Sequence, residues 1–131
     1  MPFLSDIDYH PTRHDATISI YEGRCILSRR ACAILALRPD APRVRIRQDM
    51  EQAQNGRIRI YIGHSNSPVG YVVKRVKGRG TGQISSASLA RTLAGALDGY
   101  GTYRIQEEIY TQDQEGQTQY EIFFRKYQSR G

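Results

Sequence analysis

Arg43-Val44-Arg45-Ile46-Arg47, followed after a polar connection by Arg57-Ile58-Arg59-Ile60-Tyr61-Ile62, alternates charged and aliphatic residues with a period of two. Successive side chains on a strand point to opposite faces. Val44, Ile46, Ile58, Ile60 and Ile62 therefore form an inward face, and Arg43, Arg45, Arg47, Arg57, Arg59 and Tyr61 an outward one. The Asn55-Gly56 pair can return the chain antiparallel and set the two basic rows side by side. Like charges facing one another across a ladder are destabilising unless an anion or an acidic surface compensates. This ladder is the first candidate contact surface.

Outward from the hairpin, the pattern predicts a short strand over 16–21, a turn at Glu22-Gly23 and further extended chain over 24–27. Ser28 can cap a helix over about 29–37, with Ala31, Cys32 and Leu35 on one face and Pro39 and Pro42 beyond its end. After the hairpin, 69–76 reads as a third consecutive strand. A second helix is predicted from Ser85 or Ser86 to about Leu97, with Leu89, Leu93 and Leu97 on its buried stripe. Segments 103–110 and 118–126 form a second hairpin turned at Gly116. Residues 1–15 read as a flexible arm and 129–131 as a tail.

Ile26-Leu27-Ser28 with Leu35, and Ile84-Ser85-Ser86 with Leu93, share one spacing. Each is followed by an alternating strand, a Gly-containing turn and a returning strand. The expected fold is α+β: a mainly antiparallel sheet or split barrel with two helices. It is built from two pseudo-repeated β-α-β-β units, 16–63 and 69–127, within a single domain over 16–128.

A chain of 131 residues with 39% apolar and 24% charged residues fits one globular domain. It lacks an apolar run of the roughly 18 residues that would span a bilayer. The amino terminus carries acids where a secretion leader carries bases, so a cytoplasmic location is expected, and no membrane partner. Cys25 and Cys32, in apolar surroundings, are expected to be reduced, buried thiols. The net charge of +6 is uneven. Residues 16–63 hold nine bases and four acids, residues 64–82 four bases and no acids, and residues 83–131 five bases and six acids. A positive field confined to the middle of the chain favours an anionic partner.

Within that middle, Lys74, Arg75, Lys77 and Arg79 flank or occupy the glycine-rich 77–82 connection. Neither order nor spacing matches a P-loop, so these four would meet a polyanion through charge. His10 and His14 stand four apart, but Pro11 between them breaks the helix that metal ligation would need. No metal or other cofactor is expected. His64 lies at a strand end beside no nucleophile motif, and no paired carboxylate signature occurs, so an enzyme is not expected.

Gly23-Arg24-Cys25-Ile26-Leu27-Ser28, a helix bearing Arg29 and Arg30, then Leu35-Ala36-Leu37 and the strand through Ile46, resembles the AbrB-type swapped-hairpin DNA-binding domain. The resemblance covers residues 23–46. Ser28 stands where that family usually has proline, and Cys32 and Ala33 where its members often carry a helical arginine pair. It implies a dimeric or pseudo-dimeric transcription regulator, with Arg24 as a DNA contact.

The functional expectation is a non-enzymatic nucleic-acid-binding module, DNA ahead of RNA, contacting phosphates through the arginine-rich hairpin with Tyr61 available for stacking. The alternative is an assembly module whose basic hairpin meets an acidic protein surface, such as the acidic second half of another copy in a homodimer.

Overall fold

The structure, a computed structural model, describes residues 15–54, 57–66 and 68–127, with backbone alone for 50–54 and 57. The Asn55-Gly56 turn, the Arg57 side chain, His10 and His14, residues 1–14 of the arm and the 129–131 tail lie outside the described residues. The elements are β1 (Thr17–Tyr21), β2 (Arg24–Leu27), α1 (Arg29–Ile34), β3 (Arg43–Gln54), β4 (Arg57–Ser65), β5 (Tyr71–Val72), β6 (Lys74–Arg75), β7 (Gly82–Ile84), α2 (Ala87–Ala96), β8 (Gly101–Gln112) and β9 (Thr118–Lys126).

Among the described residues nine strands form one antiparallel sheet in the order β5-β3-β4-β9-β8-β1-β2-β7-β6. The two strands at its ends, β5 and β6, are separated by Val73 alone. One kinked segment, the strap, therefore bonds to β3 on one side, with Val72 opposite Arg43, and to β7 on the other, with Arg75 opposite Gly82. Val73 sits at the kink, buried, and its amide donates to Pro42 O at 2.7 Å. The sheet curls into a nearly closed barrel.

This corrects the expected α+β class. The helices have six and ten residues, too little surface to cover a nine-stranded sheet. The sheet instead buries its apolar face by closing on itself, which also removes open strand edges. The β-α-β-β unit is corrected with it. Arg24–Leu27 is a separate strand rather than a continuation of the first, and part of the glycine-rich connection, Gly82 onward, is β7. The element order of each half is thus β-β-α-β-β, counting the strap as one strand. β1 pairs with β8 and β5 with β3, so each half lends its first strand to the other half's long hairpin.

The interior follows from alternation. Ile18 and Ile20 oppose Leu27 and Cys25, Cys25 opposes Ile84, and Ile18 also opposes Tyr103; all are fully or almost fully buried. Gly82 belongs to this lining because a Cβ there would run into Val73 Cγ1 and come within 3.0 Å of Cys32 Sγ. Both thiols are buried and unpaired, and burial pushes Cys25 up to about 11. Ser28 and Ser86 cap the two helices, their hydroxyls accepting from Ala31 N and Leu89 N. The Ser28 hydroxyl also accepts from Thr17 N at 2.9 Å and donates to Asp15 O at 2.8 Å, tying α1 to β1.

After α1 the chain reverses at Ala36, whose φ of 51° lies in the left-handed region that glycine usually fills. Leu37 N donates to Cys32 O and Ala36 N to Ala33 O, the two bonds of a helix-ending Schellman turn. At the other helix, the fully buried Tyr103 phenol accepts from Asp98 N at 2.7 Å and donates to Gly99 O at 2.6 Å. These bonds pin the turn that follows α2 onto the barrel. Tyr103→Phe leaves both backbone groups without that partner and should lower unfolding free energy by about 1 to 3 kcal/mol in urea denaturation. An unchanged midpoint would show that the bonds contribute nothing net.

Candidate nucleic-acid interface

Cross-strand register decides which side chains emerge together. Arg43 opposes Ser65, Arg45 opposes Gly63, Arg47 opposes Tyr61, and Asp49 opposes Arg59. Residues directly opposite share a face, so Arg43, Arg45, Arg47, Arg59 and Tyr61 stand on the outer face of the barrel. Val44 and Ile46, opposite His64 and Ile62, face in. The Arg57 side chain is outside the described residues. The next strand, β9, brings Glu121 opposite Tyr61 and Gln119 opposite Gly63 on the same outer face.

The ladder does not meet solvent unopposed. Arg59 Nε lies 3.9 Å from Glu121 Oε1, and Arg47 Nη2 lies 3.7 Å from Asp113 Oδ2. Arg43 Nη1 donates to Gly70 O at 3.0 Å. The Asp113 carboxylate accepts from Gln117 N and Glu115 N, both at 2.9 Å. These bonds, Gln117's first, hold its carboxyl below the usual range against an opposing burial effect, and Arg47 and then Arg45 add to the lowering. Further pairs join Arg30 to Glu107 at 2.6 Å and Arg104 to Glu108 at 2.8 Å. Glu107 reaches α1 because Gln106 opposes Glu121 while the next pair is Tyr110 with Tyr120, so residues 107–109 bulge from β8. Four of the five ion pairs among the described residues draw their acid from the β8–β9 hairpin; the fifth joins Arg38 to Asp40.

The strap side is different. Lys74, Arg75, Lys77, Arg79 and Arg29 are exposed, and among the described residues none is in an ion pair. Two of the arginines are held by carbonyls instead. Arg29 donates from Nε and Nη2 to Arg79 O at 3.3 and 3.0 Å, and Arg75 donates from Nη2 to Gly80 O at 2.8 Å. The 76–81 connection is an ordered turn, with Val76 N donating to Thr81 O and Arg79 N to Val76 O, and with Gly78 and Gly80 at φ of 85° and 72°. Carbonyl partners fix a guanidinium without cancelling its charge.

No family model matches this chain, and no curated protein or solved structure matches it.

Arg24 is not part of either surface. It is exposed at the β1–β2 turn with its guanidinium 5.5 Å from the Tyr21 ring centroid. That is three residues along β2 from Leu27, which is two strands from Arg75 through Gly82, and therefore roughly 14 Å of backbone from the strap's Arg75.

Inward-facing residues at one end of the barrel build a cleft of about 610 Å³. Arg75, His64 and Tyr120 line it from the strands, and α1 with its closing turn supplies much of the rest. Arg29, Arg38, Cys32 and Asn66 also contribute. His64 Nδ1 is 2.9 Å from Leu35 O, and its Nε2 is 3.1 Å from the Asn66 side chain, which fixes the ring plane. Among the described residues no cluster of three or more His, Cys, Asp or Glu could hold a metal ion, and no helix is long and apolar enough to cross a membrane.

Sequence reasoning missed Gln119. Its side chain is buried, lies across Gly63, and leaves both Oε1 and Nε2 without a hydrogen-bond partner among the described residues. A Cβ at position 63 would run into Gln119 Nε2, so the glycine permits this approach. An isolated glycine inside an alternating strand is the signal that marks such a contact. An unpaired buried amide costs stability, so Gln119→Met should raise unfolding free energy by about 1 to 3 kcal/mol in chemical denaturation. A loss of stability would mean that the amide has a compensating partner.

Proposed function

We propose that this protein is a non-enzymatic nucleic-acid-binding module whose phosphate contacts run along the strap and the start of α1, through Arg29, Lys74, Arg75, Lys77 and Arg79. The observation that carries the reading is the contrast between the two basic surfaces. The hairpin arginines are partly compensated by carboxylates of the same molecule, whereas among the described residues the strap cations have none. Arginine forks pre-set by carbonyl bonds lose less freedom on meeting phosphate than mobile ones. Arg43 and Arg45 continue the strip, since Arg43 is opposite Val72 of the strap.

The AbrB-like stretch over 23–46 supports the same class, a DNA-binding regulator. The lending of β1 and the strap between halves is what a swapped-hairpin dimer joined into one chain would give. The assembly alternative is less well supported. Its acidic counterpart, the β8–β9 hairpin, already spends Glu107, Glu108, Asp113 and Glu121 on arginines of its own chain.

The test is fluorescence anisotropy with labelled single-stranded and duplex DNA and RNA at several salt concentrations. Five neutralised phosphates on duplex DNA give a log–log salt slope of about −4 to −5. Lys77→Glu/Arg79→Glu should weaken binding and flatten the slope by about 2 or more. Arg47→Gln/Arg59→Gln, at positions already compensated, should change affinity much less. Salt-independent binding, or equal loss in the two double variants, would overturn the assignment.

A further inference from the structure

We propose that the cleft at the barrel mouth beside α1 is a binding site for a nucleoside monophosphate, with the phosphate between Arg29 and Arg75 and the base against Ile34, Ala36 and Tyr120. The unit could be a free nucleotide or the phosphorylated end of a strand, and the chemistry recognised is the same. The inference deepens the polyanion reading and shares Arg29 and Arg75 with it, but it needs a concave cleft, which backbone phosphate contacts do not.

Three observations converge. The volume, about 610 Å³, falls in the roughly 300 to 1,000 Å³ range of small-ligand sites. One end is cationic: Arg29 uses Nε and Nη2 on a single carbonyl and Arg75 uses Nη2 on another, which leaves most of each fork free for phosphate oxygens. Arg75 is close enough to Cys32, on the cleft wall, to oppose the rise that burial imposes on that thiol. Beyond the arginines the accessible lining includes an apolar and aromatic part, from Ile34 and Ala36 at the end of α1 to the half-buried Tyr120 ring on β9. Such a surface suits a flat base and offers nothing to inorganic phosphate alone.

The backbone supports the choice of place. Ala36, between Leu35 and Leu37, occupies the left-handed region without being glycine. Strain of this kind persists where surrounding structure holds it and clusters at ligand sites. His64 and Asn66 fix the adjoining part of the lining through their own bond and the His64 contact with Leu35 O.

The experiment is isothermal titration of the full chain with adenosine 5′-monophosphate, adenosine and inorganic phosphate, beside anisotropy with one oligonucleotide bearing either a 5′-phosphate or a 5′-hydroxyl. Ala33→Trp fills the cleft from an exposed position of α1, and Arg47→Gln/Arg59→Gln removes cations outside it. Circular dichroism and thermal unfolding confirm that each variant is folded. The monophosphate should bind more tightly than adenosine or phosphate by about tenfold or more. Ala33→Trp should abolish that binding, Arg75→Gln should weaken it about tenfold, and Arg47→Gln/Arg59→Gln should leave it within about threefold. A 5′-phosphate preference in the oligonucleotide pair, lost in Ala33→Trp, assigns the site to strand ends; monophosphate binding without that preference assigns it to free nucleotides. Monophosphate binding no tighter than inorganic phosphate, or unaffected by Ala33→Trp, overturns the site while oligonucleotide binding keeps the wider reading. Monophosphate binding without oligonucleotide binding does the reverse.

Discussion

Everything in this fold depends on five residues, 71–75, serving two neighbours at once. Tyr71 and Val72 bond to β3, Lys74 and Arg75 bond to β7, and Val73 turns inward at the kink. Neither β3 nor β7 would otherwise have a partner on that edge, and an apolar sheet of this size with two short helices could not cover its own face. Closure satisfies both needs. It also fixes what lies outside: with Val73 pointing in, Val72 and Lys74 point out, and Arg75 is carried to the barrel mouth, where α1 ends.

The same topology sorts the charges. Register between β4 and β9 lays Glu121 beside Tyr61 and brings the β8–β9 turn with Asp113 to Arg47, so the hairpin with the most arginines is also the one nearest the acids. The pairs are long, 3.7 and 3.9 Å, and at partly exposed sites each contributes little to stability. Their effect is on the field: they lower the potential over the ladder and leave the strap, in a stretch with four bases and no acids, as the positive pole.

Period-two alternation made the outward row of Arg43, Arg45, Arg47 and Arg59 legible from sequence, because side-chain direction on a strand is local. The capping serines were legible for the same reason, since a hydroxyl three residues before an unpaired amide is a local signal. What opposes the row was not. The contact of Arg59 with Glu121 depends on strand order, and no local pattern encodes that β4 lies beside β9. β7 was hidden in a glycine-rich stretch whose Gly82 reads as a breaker yet is a strand residue under close packing against Val73. The cleft could not be read at all, because its walls come from α1, the strap, β4 and β9, which only closure assembles.

The claim that barrel closure turns the strap into the contact surface is tested most directly by backbone amide NMR of the full chain titrated with a short oligonucleotide. Perturbations should concentrate in 29–38 and 74–82, with residues 47–49 and 57–61 nearly still. Perturbations confined to the β3–β4 face, with the strap unmoved, would contradict it.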